Sequence, residues 1–168
     1  MTATHVAARA HNYDAFLRAK VAAVPSLGFP VTTADLHPAL MPHQAASVIW
    51  AVRGGRRALF HAFGLGKTLM QLEALRLTLQ HAGGRGLIVL PLGVRQEFIR
   101  DAALLGLSVA FIRSIDEAGP EGIYLTNYET VRDGKLDPRD FTVVSLEEAA
   151  VLRGCGGTKP FRELMRRF

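Results

Sequence analysis

The residues with the clearest chemistry are Gly64-Leu65-Gly66-Lys67-Thr68, at the end of the stretch that begins His61-Ala62-Phe63. Two glycines so close together permit backbone conformations that turn successive N–H groups toward one point, and a phosphate suits such a concavity. A lysine at the end of the loop reaches the β- and γ-phosphates of a nucleotide, and the threonine hydroxyl beside it takes one position on Mg²⁺. The general pattern is G-x-x-x-x-G-K-[ST], and His61 stands where that pattern has its first glycine. Further along, Glu147 and Glu148 follow the apolar run Phe141 to Leu146. A magnesium nucleotide site wants a carboxylate at the end of a neighbouring strand and a second one to orient an attacking water. The same two acids could equally open a helix, where the macrodipole favours negative charge.

A phosphate loop works only between a strand and a helix, so the elements around it matter. Short apolar runs alternate here with longer segments of helical period, which predicts an α/β fold with a mostly parallel sheet covered by helices in three layers. The runs are Ala58 to His61, Gly86 to Leu90, Val109 to Ile112, Ile123 to Thr126, and Phe141 to Leu146, giving about five buried strands. Helices are expected from Lys67 to about His81, stopped by Gly83-Gly84, from Val94 to about Leu105, stopped near Gly106, and briefly from Tyr128. Ahead of them, Pro25 to Pro42 is rich in turn formers, and Gln44 to Val52 reads as a helix carrying Trp50.

The 168 residues make about one domain, and 49% hydrophobic against 21% charged residues is the balance of a chain that folds. A net charge of +5 admits a polyanionic partner. The single cysteine, Cys155, excludes an internal disulfide framework, and six scattered histidines offer no local zinc site. No apolar run reaches the roughly 18 to 20 residues of a membrane span. Met1 to Val24 is alanine-rich and basic, like a transit peptide, but it is poor in serine. Val6, Tyr13, Phe16, Leu17 and Val21 fall near one helical face, so a packed amphipathic helix is expected there.

In the order and spacing of these segments, from about Leu36 to Arg166, the chain resembles the first RecA-like domain of superfamily 2 helicases. The resemblance is to the Swi/Snf-like and phage-type DEAD/DEAH-box branch. Leu40-Met41-Pro42-His43-Gln44 is similar to the family's leader, which implies that Gln44 reads the adenine edge, whose adjacent donor and acceptor match an amide. Phe63 to Thr68 resembles motif I, so Gly64, Leu65, Gly66, Lys67 and Thr68 would hold ATP, with Lys67 also catalytic. Leu87 to Pro91, followed by Gly93, Arg95 and Gln96, resembles motif Ia, which lies against a nucleic-acid backbone. A turn that opens a helix offers N–H donors to phosphate, and Arg95 adds charge. Ile123 to Glu129 resembles the next nucleic-acid-facing segment, with Thr126 and Asn127 as backbone contacts, while Tyr128 reads as a core aromatic. Leu146-Glu147-Glu148-Ala149-Ala150 stands as motif II, which puts Glu147 with Thr68 on the metal and makes Glu148 the catalytic residue that activates water. It departs from the family's Asp-Glu: Glu147 is one methylene longer, and Ala150 lacks the hydrogen bonds that the family's residue there makes.

The resemblance implies a helix and lead-in over residues 1–35 and an ATP-binding lobe over 36–168, incomplete and with no second RecA-like domain. Its implied function is that of the ATP-binding lobe of an ATP-dependent DNA helicase or translocase, cytoplasmic and of bacterial or phage type. ATP and Mg²⁺ would be the cofactors, and DNA rather than RNA and a second lobe in cis or in trans the partners. An arginine supplied from elsewhere accelerates nucleotide hydrolysis by about 10³ to 10⁵, so a lone lobe is expected to be a very slow ATPase. The alternative is a non-catalytic module that binds ATP or DNA and needs a partner lobe. A third class, an unrelated P-loop enzyme, would want an N-K-x-D signature or an arginine-rich lid, and neither is found.

Overall fold

The computed structural model describes residues 25–148 and residue 166. The expected helix around Val6 to Val21, Ala150 and Cys155 lie outside them. Helix α1 is Pro42–Gly54 and helix α2 is Lys67–Ala82, followed by strand β1, Arg85–Leu90, and helix α3, Arg95–Leu104. Strands β2, Val109–Phe111, and β3, Gly122–Asn127, precede the short helix α4, Tyr128–Arg132, and β4 is Val143–Leu146. The strands form one sheet in the order β2-β3-β1-β4, and every pairing is parallel.

Alternation along β1 explains the layers, because successive side chains of a strand face opposite ways. Ile88 and Leu90 pack with Leu72 and Leu75 of α2 and with Phe98 and Ala102 of α3. Leu87 and Val89 face the other way, onto Tyr128 and Val131 of α4 and onto Leu136 and Phe141. All four of these β1 side chains are fully buried, as expected of a central parallel strand covered on both faces. A third cluster, with Val48 and Val52 of α1 against Met70 and Leu77 of α2, fastens the lead-in to the sheet.

Local chemistry sets the helix ends. Pro42 opens α1 with its fixed φ and no N–H to leave unpaired, and the Gln44 side chain accepts a hydrogen bond from the Met41 N–H at 2.9 Å. Helix α2 stops where Gly83 takes φ +71° and its N–H reaches Leu79 O at 2.8 Å. Glu73, fully buried on α2, accepts from the His37 N–H at 2.7 Å and from the Arg76 guanidinium at 2.6 and 2.7 Å. Arg76 also donates to Asp35 O at 2.8 Å, so the Glu73–Arg76 ion pair ties the lead-in to α2.

One expectation is corrected. Among the described residues the sheet has four strands, because Ala58 to His61 is not a strand; Phe60 in its middle is 94% exposed. A strand exists through the ladder of its neighbours, and among the described residues no strand runs along the outer edge of β4, where a fifth would have to pair. The last strand also starts later than expected. Phe141 turns into the core ahead of it, although Thr142 already donates to Arg85 O at 2.9 Å.

Candidate nucleotide and nucleic-acid site

Several of the candidate residues lie near the carboxyl ends of the parallel strands, where Glu97 after β1 and Glu147 after β4 approach Thr68 and Lys67 at the N-terminus of α2. In open α/β sheets this is the edge at which ligands bind. Residues 61–66 carry the chain into α2, with Gly64 at φ +80° and Gly66 at φ +73°, ψ +41°. Both need glycine's freedom, but their surroundings differ. A Cβ on Gly64 would meet nothing within 4 Å, whereas one on Gly66 would lie 2.2 Å from Gln44 Nε2.

Side chains from α1 brace this loop. Gln44 is 5% exposed and spends its amide on main chain, accepting from Met41 N and donating from Nε2 to Leu65 O at 3.2 Å. Reading an adenine edge would require it to release one of these partners. His43 Nε2 also lies 3.3 Å from Leu65 O. Ser47 Oγ donates to His43 O at 2.8 Å and lies 2.9 Å from His61 Nε2, so the proton between them belongs to the imidazole. That assigns the tautomer and leaves His61 Nδ1 buried without a partner. The histidine in place of a glycine is thus a strut to α1.

Lys67 donates from Nζ to His61 O and Ala62 O, both at 3.3 Å, and stands 5.2 Å from the centre of the Phe63 ring. These are long contacts to neutral carbonyls, which a phosphate oxygen would outcompete. Thr68 is buried, and its hydroxyl donates to Glu97 Oε1 at 3.4 Å. Glu97, in the first turn of α3, is absent from the sequence reading. Its contact spans 29 positions and depends on how α2 packs on α3, for which local spacing carries no signal.

Glu147 continues the ladder past β4, with its N–H on Val89 O at 2.8 Å and its carbonyl accepting from the Tyr128 hydroxyl at 2.6 Å. Burial pushes its carboxyl pKa above the ordinary value of 4.5; Lys67 opposes this, while Glu148 and Glu97 add to it. Tyr128 is buried and its pKa is raised, first by burial and then by the two glutamates, so it remains a neutral donor. Glu148 is exposed and sits at φ +49°, in the left-handed region that non-glycine residues seldom adopt. Gln71, one turn beyond Lys67, donates to Ser145 Oγ at 2.6 Å and so ties α2 to β4, while its Oε1 is buried without a partner.

The four residues expected to face nucleic acid divide into two pairs. Gly93 is exposed in the turn after β1, and the Arg95 guanidinium lies 5.2 Å from the centre of the Phe111 ring, with Arg113 at 6.0 Å from the same ring. Thr126 is fully buried and donates to Ile112 O at 2.9 Å, so its side chain is not available to a phosphate. Asn127 accepts from the Thr130 N–H at 3.3 Å and from the Thr130 hydroxyl, capping α4.

The arrangement fits a magnesium nucleotide. It offers open space over Gly64, a lysine held by weak contacts, and a buried hydroxyl and a strand-end carboxylate on the same side. Among the described residues no three His, Cys, Asp or Glu side chains form a metal cage. Magnesium in such sites uses one or two carboxylates plus the phosphates themselves.

Among solved structures the chain is similar to the Sulfolobus solfataricus SWI2/SNF2 ATPase core in complex with dsDNA, with a TM-score of 0.62 at 17% identity. The fold is RecA-like. The likeness covers 80% of this chain and 31% of that one, so this chain spans about a third of its neighbour's length. No family model and no curated protein matches the sequence. Among the described residues no helix is long and apolar enough to cross a membrane.

Proposed function

We propose that this chain is the ATP-binding lobe of an ATP-dependent DNA helicase or translocase. The observation that carries the reading is the placement of Lys67 and Thr68 at the N-terminus of α2, near Glu97 in the first turn of α3 and Glu147 at the end of β4. ATP would lie along Gly64, Leu65, Gly66 and Lys67, and Thr68 and Glu147 would hold Mg²⁺. Bound Mg²⁺ neutralises charge on the β- and γ-phosphates. Lys67 exchanges two carbonyls for phosphate oxygens, and the N-terminus of α2 adds its positive end. Glu148, exposed beside Glu147, is the group to accept a proton from an attacking water. Nucleic-acid backbone would run past Gly93 and Arg95. The net charge of +5 supports a nucleic-acid partner, and the double-stranded DNA in the neighbour's complex supports DNA as that partner.

Turnover in this reading needs a second RecA-like lobe, in cis or in trans, to complete the site with an arginine worth about 10³ to 10⁵ in rate. A second reading is a non-catalytic module that binds ATP or DNA and needs a partner lobe; it is favoured by Glu147, one methylene longer than the aspartate of the family it resembles, since a displaced catalytic group costs rate. Titration with a fluorescent ATP analogue and Mg²⁺, beside a Lys67→Ala variant, tests the first claim. Binding should weaken at least tenfold in the variant. A folded wild type that binds nothing at millimolar nucleotide ends the first reading, and one that binds no DNA either ends both. ATPase measured with DNA and an added catalytic lobe separates them, since only the motor lobe gains turnover.

A further inference from the structure

Thr68 has one hydroxyl hydrogen and two lone pairs, and a lone pair can be aimed at a cation only when the hydrogen has an acceptor elsewhere. The strand-end acid expected beside it is Glu147, yet the acceptor the structure shows is Glu97, through Oε1 at 3.4 Å. Glu97 comes from α3, not from the acidic strand, and it opens that helix two residues after Arg95, in the turn that leaves the central strand. It is exposed and makes no ion pair among the described residues.

We propose that Glu97 is a positioning residue of the nucleotide site. It takes the Thr68 hydroxyl hydrogen so that the oxygen faces magnesium, and it thereby ties the phosphate loop to the turn at residues 91–95. This rests on the nucleotide-binding reading above. With a cation held at the Thr68 oxygen the hydroxyl would be a stronger donor, and the 3.4 Å contact to Glu97 would be expected to tighten. Any shift of the turn that carries Gly93 and Arg95 is then transmitted to Thr68 through two residues of helix.

Mg²⁺-dependent nucleotide binding by the full 168-residue chain tests this. A fluorescent ATP analogue is titrated in EDTA and across Mg²⁺ concentrations for wild type, Glu97→Gln, Thr68→Val and the double variant. Exchanging a charge-assisted hydrogen bond for a neutral one, since glutamine keeps an acceptor oxygen, should raise the half-saturating Mg²⁺ of Glu97→Gln about threefold to tenfold. In EDTA its affinity should be unchanged or tighter, since a negative charge facing the triphosphate is gone. In the Thr68→Val background the substitution should have no further effect on Mg²⁺ dependence, because the group it acts through is missing. A half-saturating Mg²⁺ within about twofold of wild type overturns the proposal, as does equal weakening in EDTA or a full effect in the double variant. Wild type that binds no nucleotide overturns the nucleotide-binding reading as well; each of the other outcomes concerns Glu97 alone.

Discussion

Two runs whose sequences both suggest strands end in opposite circumstances. Leu87-Ile88-Val89-Leu90 is wholly buried at the centre of the sheet, and Ala58-Leu59-Phe60-His61 runs past the surface with Phe60 almost fully exposed. The first is the more apolar, and it is also the one that finds partners. The first run has β3 on one side and β4 on the other, so its backbone groups are paired and its side chains covered. The second has no ladder among the described residues. It is held instead by side-chain struts, with His61 on Ser47 and, just beyond it, Gln44 on Leu65. A glycine-containing loop whose leading run is braced from a helix rather than a sheet owes its shape to a few polar contacts.

The contrast sharpens under substitution, starting where the effect is largest. Ile88→Ala should cost about 2–5 kcal/mol, read from urea unfolding, because it leaves a cavity at a fully covered position. A loss below 1 kcal/mol would mean the central strand is less well packed than it looks. Next come the two loop glycines. Gly64→Ala should cost about 1–2 kcal/mol for its left-handed backbone alone, and Gly66→Ala about 1 kcal/mol more for the lost Gln44 amide bond. Equal losses would show that the Gln44 brace contributes nothing.

A smaller effect concerns pH. The Glu147 carboxyl has its pKa raised by burial, so the folded chain holds that proton more tightly than the unfolded one does. Its contribution is complete below the ordinary carboxylate range and is lost as pH rises through the raised value. Without Mg²⁺, Glu147→Gln should remove that downward slope, and superimposable stability–pH curves would contradict it. The smallest change is Phe60→Ser, expected within about 0.5 kcal/mol of wild type. A cost like that of Ile88→Ala would mean the run is covered by something in solution.

Much of the fold was legible because periodicity and punctuation agreed. Four of the expected strands occur, and glycines at 83 and 106 end α2 and the segment after α3. The missing strand was unreadable because a run's composition says nothing of whether a neighbour lies beside it. In the site, Thr126 and Asn127 were read as phosphate contacts on residue type and place. A hydroxyl and an amide at a strand end serve equally well as a core bond and a helix cap, and the structure uses them so. Glu97 escaped for the opposite reason, since its partner comes from another helix. The burial of Glu147 likewise depends on how Tyr128 and α2 close over it.

The sheet topology also bears on how the chain is made. Strand β1 holds the most apolar stretch of the sheet, yet both its neighbours come later in the sequence, at residues 122–127 and 143–146. A nascent chain therefore presents Leu87 to Leu90 unpaired through most of the synthesis of this lobe, and parallel pairing is slow to form because its contacts are distant. The aggregation hazard of this fold lies in time rather than in space, falling on the ribosome before the last strand emerges and vanishing once it docks.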